Sequence, residues 1–195
     1  MDFLKSSPSF FLNLWMAACK TLAQGGIAPG SGIITAIGAN GVDFGLQVGS
    51  LPGKWWTAPA APPQGALENG FTREQSLPAI GDSAIVDAFG FGCMAMHHSP
   101  RQHEALSRFM PEPSASLGQS LLLGTHALFS TPTVRIACSV RNAVNTDKTL
   151  PIALGILDKE GQHGRIGGGI ALVPPSVMQD ACNALAIEES LPPYA

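Results

Sequence analysis

The alternation of hydrophobic and polar positions is clearest in the first third of the chain. Residues 31–39 and 42–50 form two apolar-rich runs that flank Asn40-Gly41. Asn-Gly is a strong signal for a two-residue hairpin turn, because both central residues of such a turn take positive φ. The pattern therefore predicts an antiparallel hairpin with its turn at Asn40-Gly41.

The predicted hairpin has one apolar face and one face that carries few large side chains. The residues expected to share the apolar face are Ile33, Thr35, Ile37, Ala39, Val42, Phe44, Leu46 and Val48. On the opposite face, Asp43 is expected to lie opposite Gly38 and Gly45 opposite Ala36. An acidic side chain surrounded by glycine and alanine leaves space above the sheet. From the sequence, that space holds either a ligand or a packed loop.

Hydrophobic positions with a helical period predict helices at both ends of the chain. Near the N-terminus, Ser7-Pro8 combines a capping residue with a proline at the first helical position, and Gly25-Gly26 ends the pattern. The face expected to pack against the sheet contains Phe11, Leu14, Ala18 and Leu22. Pro174-Pro175-Ser176 opens a closing helix with apolar positions at Val177, Met178, Ala181, Cys182 and Leu185.

Further patterns complete the predicted fold. Residues 54–59 predict a third strand, and residues 150–157 and 165–173 predict a second hairpin. Residues 58–79 predict a long loop without periodicity, whereas residues 135–144 remain ambiguous. The chain of 195 residues is therefore predicted to be a single α+β domain. Its antiparallel sheet is expected to contain two hairpins plus one strand and to pack against several helices.

Two shorter helical patterns predict further helices after residue 100. One covers residues 101–110, and the other begins at Ser114 and carries Leu117, Leu121 and Leu128. His126 falls on this second pattern. A histidine on a leucine-rich helix is more often a core residue with satisfied hydrogen bonds than a catalytic base.

A helical pattern also covers residues 78–100, where Gly90 and Gly92 interrupt it. A glycine within a helix costs about 1 kcal/mol relative to alanine, so two of them indicate close approach of another backbone or a ligand. Asp82 and Ser83 precede the pattern, at a position that suits capping or anion binding. A capped core helix packed closely on a sheet is the simpler interpretation.

Composition and charge argue against several classes of protein. Only 13% of the residues are charged, and 22 glycines with 16 prolines indicate a loop-rich fold with surface that partners cover. Eleven basic and 14 acidic residues give a net charge of −3 without charge runs. This balance argues against nucleic-acid and membrane-surface binding. No stretch reaches the roughly 18 apolar residues of a membrane-spanning helix.

Cysteines and histidines give weak signals for special chemistry. The four cysteines are scattered without a C-x-x-C pair, so reduced thiols in a cytoplasmic protein are the simplest account. His97-His98, with His103 and Cys93 nearby, invites a metal interpretation. However, adjacent histidines point in different directions on a helix, and a proline intervenes before His103. We therefore expect neither a metal ion nor a cofactor.

A glycine-rich segment near the C-terminus is a further candidate for ligand binding. Gly164-Arg165-Ile166-Gly167-Gly168-Gly169 could place backbone N–H groups and a guanidinium around an anion. It is neither a Walker loop nor a dinucleotide fingerprint, since a strand rather than a helix follows. The alternative is a glycine-rich strand that lets a helix or a subunit approach closely, and the sequence supports both equally.

An ordered series of short motifs resembles a known family. The motifs are Phe10-Phe11-Leu12-Asn13-Leu14, Asn40-Gly41-Val42-Asp43-Phe44-Gly45, Trp56-Thr57-Ala58-Pro59, Ile80-Gly81-Asp82-Ser83-Ala84-Ile85 and Ile166-Gly167-Gly168-Gly169. Together they resemble the YlbE/YahG-like family of bacterial proteins, which is catalogued as a domain of unknown function. The resemblance runs through nearly the whole chain.

The resemblance implies an activity and partners. Family members resemble a subunit of oxamate carbamoyltransferase, which converts oxalurate and phosphate to oxamate and carbamoyl phosphate in allantoin breakdown. The resemblance also implies an α+β architecture, an oligomeric assembly and a partner subunit similar to acyl-CoA synthetases. Because family members are longer, the chain resembles the C-terminal portion of such a protein. It departs from the family pattern around residues 94–99 and 153–155.

These observations lead to one functional hypothesis and one alternative. Carbamoyl transfer needs cations and N–H groups around a phosphate, and donors that polarise the carbamoyl oxygen. The expected catalytic residues are Asp43, Asp82 and Ser83. The residues expected to bind the carbamoyl phosphate or oxamate substrate are Asn40, Thr57, Arg165, Gly167 and Gly168. The alternative is a non-catalytic assembly module of a multi-subunit enzyme, in which glycine-rich faces and exposed tryptophans receive partner subunits.

Overall fold

Antiparallel strands and helices alternate along the chain in the computed structural model, which describes residues 2–7 and 9–190. The strands are β1 (Ile34–Asn40), β2 (Asp43–Val48), β3 (Trp56–Pro59), β4 (Gln64–Leu67), β5 (Ile80–Gly81), β6 (Leu122–Ser130), β7 (Thr133–Cys138), β8 (Pro151–Leu157) and β9 (Arg165–Leu172). The helices are α1 (Asp2–Ser6), α2 (Phe10–Gln24), α3 (Ala84–Phe89), α4 (Pro100–Leu106), α5 (Ser114–Leu121), α6 (Val140–Thr146) and α7 (Pro175–Ser190). Short 3₁₀ segments occupy Arg73–Gln75, Cys93–His98 and Ser107–Phe109.

The predicted α+β class is confirmed, with antiparallel pairing throughout the described strands. The strand orders are β3-β2-β1-β5 in the largest sheet, β4-β9-β8 in a second sheet and β6-β7 in a third. The two predicted hairpins therefore lie in separate sheets, although a single sheet was expected. None of the described helices combines the length and the apolar character that crossing a membrane requires.

The connection over residues 58–79 explains why the hairpins separate. Pro62 and Pro63 follow β3 in this connection and cannot extend the ladder, because proline lacks the N–H that a ladder needs. The chain then forms β4, which pairs with β9 at the edge of the second sheet. The prediction of a long loop without strands was wrong here, because a four-residue strand containing Gly65 shows no clear alternation.

The first hairpin is confirmed, but its turn lies one residue further along. Ala39 pairs with Phe44, so Gly41 and Val42 form the turn and Asn40 remains in β1. The Asn40 side chain fixes this arrangement, since its Oδ1 accepts hydrogen bonds from the N–H groups of Val42 (2.9 Å) and Asp43 (2.7 Å).

The changed register preserves most of the predicted faces. A shift of two residues keeps each side chain on its original face of the sheet. Ile37, Phe44 and Leu46 are buried as predicted, but Val42 was wrongly assigned to the apolar face, because it lies in the turn and is 67% exposed.

Helix α2 packs with a different face from the one predicted. Cys19 and Ala23 are buried, with Trp15 and Met16 packed against the core. The predicted stripe instead points outward on the exposed side of the helix: Phe11, Leu14, Ala18 and Leu22. The sequence could not separate these faces, because α2 carries two apolar faces. The predicted helix start at Pro8 lies outside the described residues.

The predicted central helix is broken at its glycines. Helix α3 ends at Gly90 (φ 104°), and a 3₁₀ turn follows after Gly92. A Cβ on Gly90 would overlap the carbonyl oxygen of Arg135, so the glycine permits close approach of β7. The expected side-chain cap is absent from Ser83, whose backbone is helical and whose hydroxyl makes no capping hydrogen bond.

Several predictions in the second half were confirmed and others were wrong. The second hairpin forms as β8 and β9, and the closing helix forms as α7. The leucine-rich helix ends at Leu121, so Leu128 and His126 lie on strand β6 rather than on a helix. The ambiguous segment contains both element types, the end of β7 and the start of α6.

The buried carboxylate of Asp87 joins three segments of the core. Its Oδ1 accepts a hydrogen bond from the N–H of Cys93 (2.6 Å), and its Oδ2 accepts one from the N–H of Ala153 (3.3 Å). Burial raises the pKa of Asp87 from 3.8 to about 6, although these hydrogen bonds act in the opposite direction. Asp87 thereby connects α3, the turn after Gly92 and strand β8.

We predict that Asp87 makes stability depend on pH. Its folded pKa lies above its unfolded value, so its contribution is fully present below pH 3.8 and is lost as the pH rises through about 6. Between roughly pH 5 and pH 8, this group should lower the unfolding free energy by about 1.4 kcal/mol. Urea unfolding of the chain and of Asp87→Asn over this range should show that difference.

The control for Asp87 is Asp180→Asn, an exposed change on α7. This variant should keep the pH dependence of the original chain. Asp87→Asn should also be less stable at neutral pH by about 1–3 kcal/mol, because its amide turns a donor toward a backbone N–H. Parallel pH curves for the original chain and Asp87→Asn would contradict the assignment.

A second prediction separates backbone strain from steric overlap at glycines. Gly70 and Gly90 both have positive φ, but a Cβ meets nothing within 4 Å at Gly70 and overlaps a carbonyl at Gly90. Gly70→Ala should therefore cost about 1–2 kcal/mol of unfolding free energy, and Gly90→Ala about 3 kcal/mol or more. Equal losses in urea unfolding would show that the β7 backbone moves away.

Candidate functional site

A cleft lies on the face of the largest sheet opposite the core. It contains two adjoining cavities of about 520 and 400 Å³. Gly38 and Gly45 pair directly across β1 and β2, so the floor of the cleft carries no side chains at its centre. The space that the sequence predicted above this sheet is therefore present, although the glycines face each other rather than Asp43 and Ala36.

Four of the predicted site residues line the 400 Å³ cavity together: Asn40, Asp43, Thr57 and Asp82. They come from separate stretches of sequence and meet because β3 and β5 lie on either side of the first hairpin. Thr57 pairs with Gly45, while Gly81, beside Asp82, pairs with Ala39. The pairing of these strands thus brings two carboxylates, an amide and a hydroxyl to one cavity.

Asn40 has a divided role in this geometry. Its carbonyl oxygen is occupied by the two N–H groups of the turn, as described above. Among the described residues, its Nδ2 amide has no hydrogen-bond partner, and the residue lines the cavity. The turn therefore fixes the orientation of the side chain, and the NH₂ group remains able to donate to a ligand.

Helix α2 forms the wall of the 520 Å³ cavity. Asn13 and Lys20, seven residues apart, lie on the same side of the helix and line this cavity with Gln47 of β2. The ammonium of Lys20 donates to the carbonyl oxygen of Thr35 (2.6 Å), and partial burial lowers the pKa of Lys20. The cleft therefore contains a cation that sequence reasoning missed.

The signal for Lys20 was present but was interpreted differently. The sequence analysis expected the stripe of Phe11, Leu14, Ala18 and Leu22 to pack against the sheet. Asn13 and Lys20 lie on another face of the helix, so they were not counted among the site residues. Because the helix is rotated, this polar side borders the cleft instead. A helix with two apolar faces and one polar face leaves this choice to tertiary packing.

Trp55 and Asp82 connect the two cavities, since both residues line each of them. Trp55 is half exposed, while its neighbour Trp56 is buried in β3. The indole ring lies over the floor, because a Cβ on Gly45 would be 3.2 Å from its Cε3 atom. An aromatic wall of this kind can stack on a planar ligand.

Ser83 does not line either cavity, although it follows Asp82 directly. Its carbonyl oxygen accepts the first-turn hydrogen bond from the N–H of Val86 (2.9 Å). The predicted catalytic role of Ser83 stays a prediction, and the geometry adds no support to it.

Arg165, Gly167 and Gly168 lie in the second sheet and do not line the cleft. Gly167 and Gly168 are paired on both sides, with β4 and with β8, so their backbone groups face neighbouring strands. The side chain of Arg165 folds back over β9, where its Nε donates to the carbonyl oxygen of Gly167 (2.8 Å). The anion-binding role of these three residues stays a prediction.

The glycines of β9 have a steric explanation in the structure. A Cβ on Gly167 would overlap the carbonyl oxygen of Ala66, and one on Gly169 would lie 2.5 Å from that of Gln64. Strand β4 therefore approaches β9 more closely than side chains would permit. This is the close-approach alternative that the sequence left open, with a strand as the approaching element.

The histidines show no arrangement for metal binding within the described residues, where no group of three or more potential ligands is found. His126 is half buried against Phe129 (5.1 Å between ring centroids), and its Nδ1 accepts a hydrogen bond from the N–H of Leu128 (3.2 Å). His97 and His98 line a different cavity, described below.

The chain is similar to curated proteins of Escherichia coli strain K12. The oxamate carbamoyltransferase subunit AllG is 36% identical over 200 residues, which cover 95% of this chain and 46% of the relative. The uncharacterized protein YahG is 43% identical over 101 residues, which cover 51% of this chain and 21% of the relative. The chain thus spans less than half the length of either relative.

A solved structure and a family model give matching results. The crystal structure of a conserved protein of unknown function from Enterococcus faecalis V583 superposes with a TM-score of 0.79 at 27% identity, covering 90% of this chain and 44% of that chain. The family model described as oxamate carbamoyltransferase subunit AllG matches residues 1–83, which include every residue that lines the 400 Å³ cavity. The chain therefore belongs to the bacterial protein family that includes AllG and YahG.

Proposed function

We propose that the chain is a subunit of an oxamate carbamoyltransferase-like enzyme and that its cleft binds the small substrates of carbamoyl transfer. The observation that carries this proposal is the convergence of Asn40, Asp43, Thr57 and Asp82 on one cavity. All four belong to the segment that the AllG family model matches. The substrate class comes from the name of the AllG relative, and the chemistry of the cleft is compatible with it.

The two cavities suit two adjoining reactants. The ammonium of Lys20 can hold a phosphate or carboxylate group in the α2-side cavity. Asn40 Nδ2 and the Thr57 hydroxyl can donate to a carbonyl oxygen that gains negative charge in the other cavity. Trp55 and Asp82 border both spaces, so they contact the planar groups that exchange the carbamoyl unit.

A balanced reaction can be written for these positions. A phosphate oxygen forms a bond to the carbamoyl carbon of oxalurate, and the bond from that carbon to the oxamate nitrogen breaks. Asp82 accepts the phosphate proton and delivers it to the departing nitrogen, so no further reactant is needed. Asp43 is proposed to orient the carbamoyl NH₂ group, because a carboxylate accepts its hydrogen bonds.

We predict that the chain is stabilised by substrates through the cleft. Carbamoyl phosphate or oxamate at about 100 times its dissociation constant should raise the unfolding free energy by about 2.7 kcal/mol. Lys20→Gln and Asp82→Asn should each remove most of the resulting shift in melting temperature. Both side chains are exposed, so these variants should fold.

Arg165→Gln is the matched comparison for Lys20→Gln, since it removes a cation outside the cleft. It should keep the ligand-induced shift if the cleft binds the anion. Loss of the shift in Arg165→Gln but not in Lys20→Gln would favour the glycine-rich segment instead. No shift in the original chain with carbamoyl phosphate, oxamate or phosphate would contradict a complete substrate site in these residues.

A second candidate function, a non-catalytic assembly module, is favoured by the outward face of α2. Phe11 (63% exposed), Leu14 (57% exposed) and Leu22 form an apolar stripe on the surface. Contiguous exposed apolar surface commonly marks a protein interface. We propose that a partner subunit of the carbamoyltransferase, the one similar to acyl-CoA synthetases, binds this stripe within a cytoplasmic oligomer.

Aromatic rings extend this surface across the molecule. Phe11 stacks on Trp15 (5.8 Å between ring centroids), Trp15 contacts Phe91 (5.1 Å), and Phe91 contacts Phe129 of β6 (5.5 Å). Leu128, beside Phe129, is also exposed. The stripe on α2 and the β6–β7 hairpin are thus parts of one apolar surface, and aromatic side chains are enriched at interface cores.

We predict that the double variant Phe11→Ser, Leu14→Ser weakens assembly with the other subunits of the enzyme by about tenfold or more, since both side chains leave the interface. The measurement is co-expression and purification of the complex, followed by titration of its subunits. The control is Ile187→Ser, which changes an exposed residue of α7 (64% exposed). Equal assembly of the two variants would contradict this surface.

A further inference from the structure

A third cavity, of about 250 Å³, lies outside the cleft between the 3₁₀ turn at Cys93–His98, helix α5 and the β6–β7 hairpin. It shares no lining residue with either cavity of the cleft. Its polar lining consists of His97, His98, Gln119, Thr125, Thr133 and Arg135, and no acidic residue lines it. The cavity therefore combines imidazole, guanidinium, amide and hydroxyl groups without a carboxylate.

Arg135 brings an uncompensated positive charge to this cavity. Its Nε donates to the carbonyl oxygen of Gly118 (3.2 Å), and its Nη2 donates to that of Leu122 (2.8 Å). Neutral carbonyl groups orient the guanidinium but do not neutralise it. Within residues 2–7 and 9–190, no carboxylate forms an ion pair with Arg135. The Nη1 atom makes no hydrogen bond to a described residue and can donate to a ligand.

The two histidines lie beside one another in the lining of the cavity. The Nδ1 atom of His97 shares a hydrogen bond with the hydroxyl of Ser114 (3.0 Å), and the ring centroids of His97 and His98 are 4.0 Å apart. Partial burial lowers the pKa of His97, as do the positive charges of His98 and His103. An anion between these groups would relieve that repulsion.

The charge of the cavity distinguishes an anion from a metal ion. Two imidazoles supply at most two ligands, and the described residues contain no group of three potential ligands. The Arg135 guanidinium would repel a cation in the same space. The same guanidinium, with imidazole N–H and hydroxyl donors around it, can donate the hydrogen bonds that phosphate and carboxylate oxygens accept.

We propose that this third cavity binds a small oxyanion, a phosphate or a carboxylate, through Arg135, His97 and His98. A volume near 250 Å³ accommodates inorganic phosphate or a small carboxylate but not a nucleotide. The site is independent of the proposed function, because its residues come from different elements. It gives the chain a second place at which an anionic substrate, product or effector is recognised.

The experiment follows the side-chain nitrogen signals of His97 and His98 by NMR in the full chain during titration with inorganic phosphate and, separately, with oxamate. Binding should move both sets of signals toward the imidazolium form, and urea, a neutral ligand, should leave them unchanged. Phosphate and oxamate distinguish the two oxyanion sources. Failure of both anions to shift either histidine would overturn the proposal.

Variants test the contribution of the two histidine side chains. His97→Gln and His98→Gln should each raise about fivefold or more the dissociation constant measured from the NMR shift of the remaining histidine, a signal that reports on this cavity alone. His103→Gln is the matched control, because His103 does not line the cavity, and it should change binding by less than about twofold. An equal effect of all three variants would indicate general electrostatic attraction and would overturn the site.

A final comparison separates this site from the cleft. Asp82→Asn should leave the anion-induced shifts of His97 and His98 intact even if it removes binding in the cleft. Loss of those shifts in Asp82→Asn would show that the histidines report on the cleft, and the second site would be rejected.

Discussion

The hydrogen bonds of the Asp87 carboxylate fix the geometry on which both candidate sites depend. Asp87 lies at the end of α3, a helix that packs on β1 and β8. Its oxygens accept hydrogen bonds from the backbone N–H groups of Cys93 and Ala153. A Cβ on Gly92 would overlap its Oδ1, so the turn can approach the carboxylate only with glycine at this position. A charged group with this degree of burial is tolerated only because its hydrogen bonds replace part of the lost hydration. Removing them would release the turn, the strand and the helix together.

The consequences of this contact extend in two directions. On one side, α3 begins two residues after Asp82, so fixing the helix also fixes the border between the two cavities of the cleft. On the other side, the turn after Gly92 leads into the 3₁₀ segment that carries His97 and His98. The same turn places Phe91 among the aromatic rings that connect α2 with the β6–β7 hairpin. The candidate cleft, the cavity lined by His97 and His98 and the apolar surface are therefore connected through one short segment.

The absence of side chains is as important to the cleft as their presence. Gly38 and Gly45 face each other on the floor, while Trp55 and helix α2 form the walls. The outward stripe of α2 leaves apolar surface free, and its polar side supplies Asn13 and Lys20 to the cleft. One helix thus borders the candidate cleft on one side and exposes an apolar stripe on another. This arrangement is compatible with a subunit that binds substrates within a larger assembly.

Local sequence determined the features that depend on neighbouring residues alone. The hairpins, the strand at Trp56, the closing helix and the open space over glycine-rich strands follow from turn chemistry and periodicity, which act over a few residues. Tertiary structure decided which face of α2 packs inward, because two apolar faces compete and only the shape of the core selects between them. It also decided that the hairpins occupy separate sheets, that Lys20 borders the cleft, and that Arg165 lies outside it. Those outcomes depend on contacts between distant segments, whose free energies no local pattern contains.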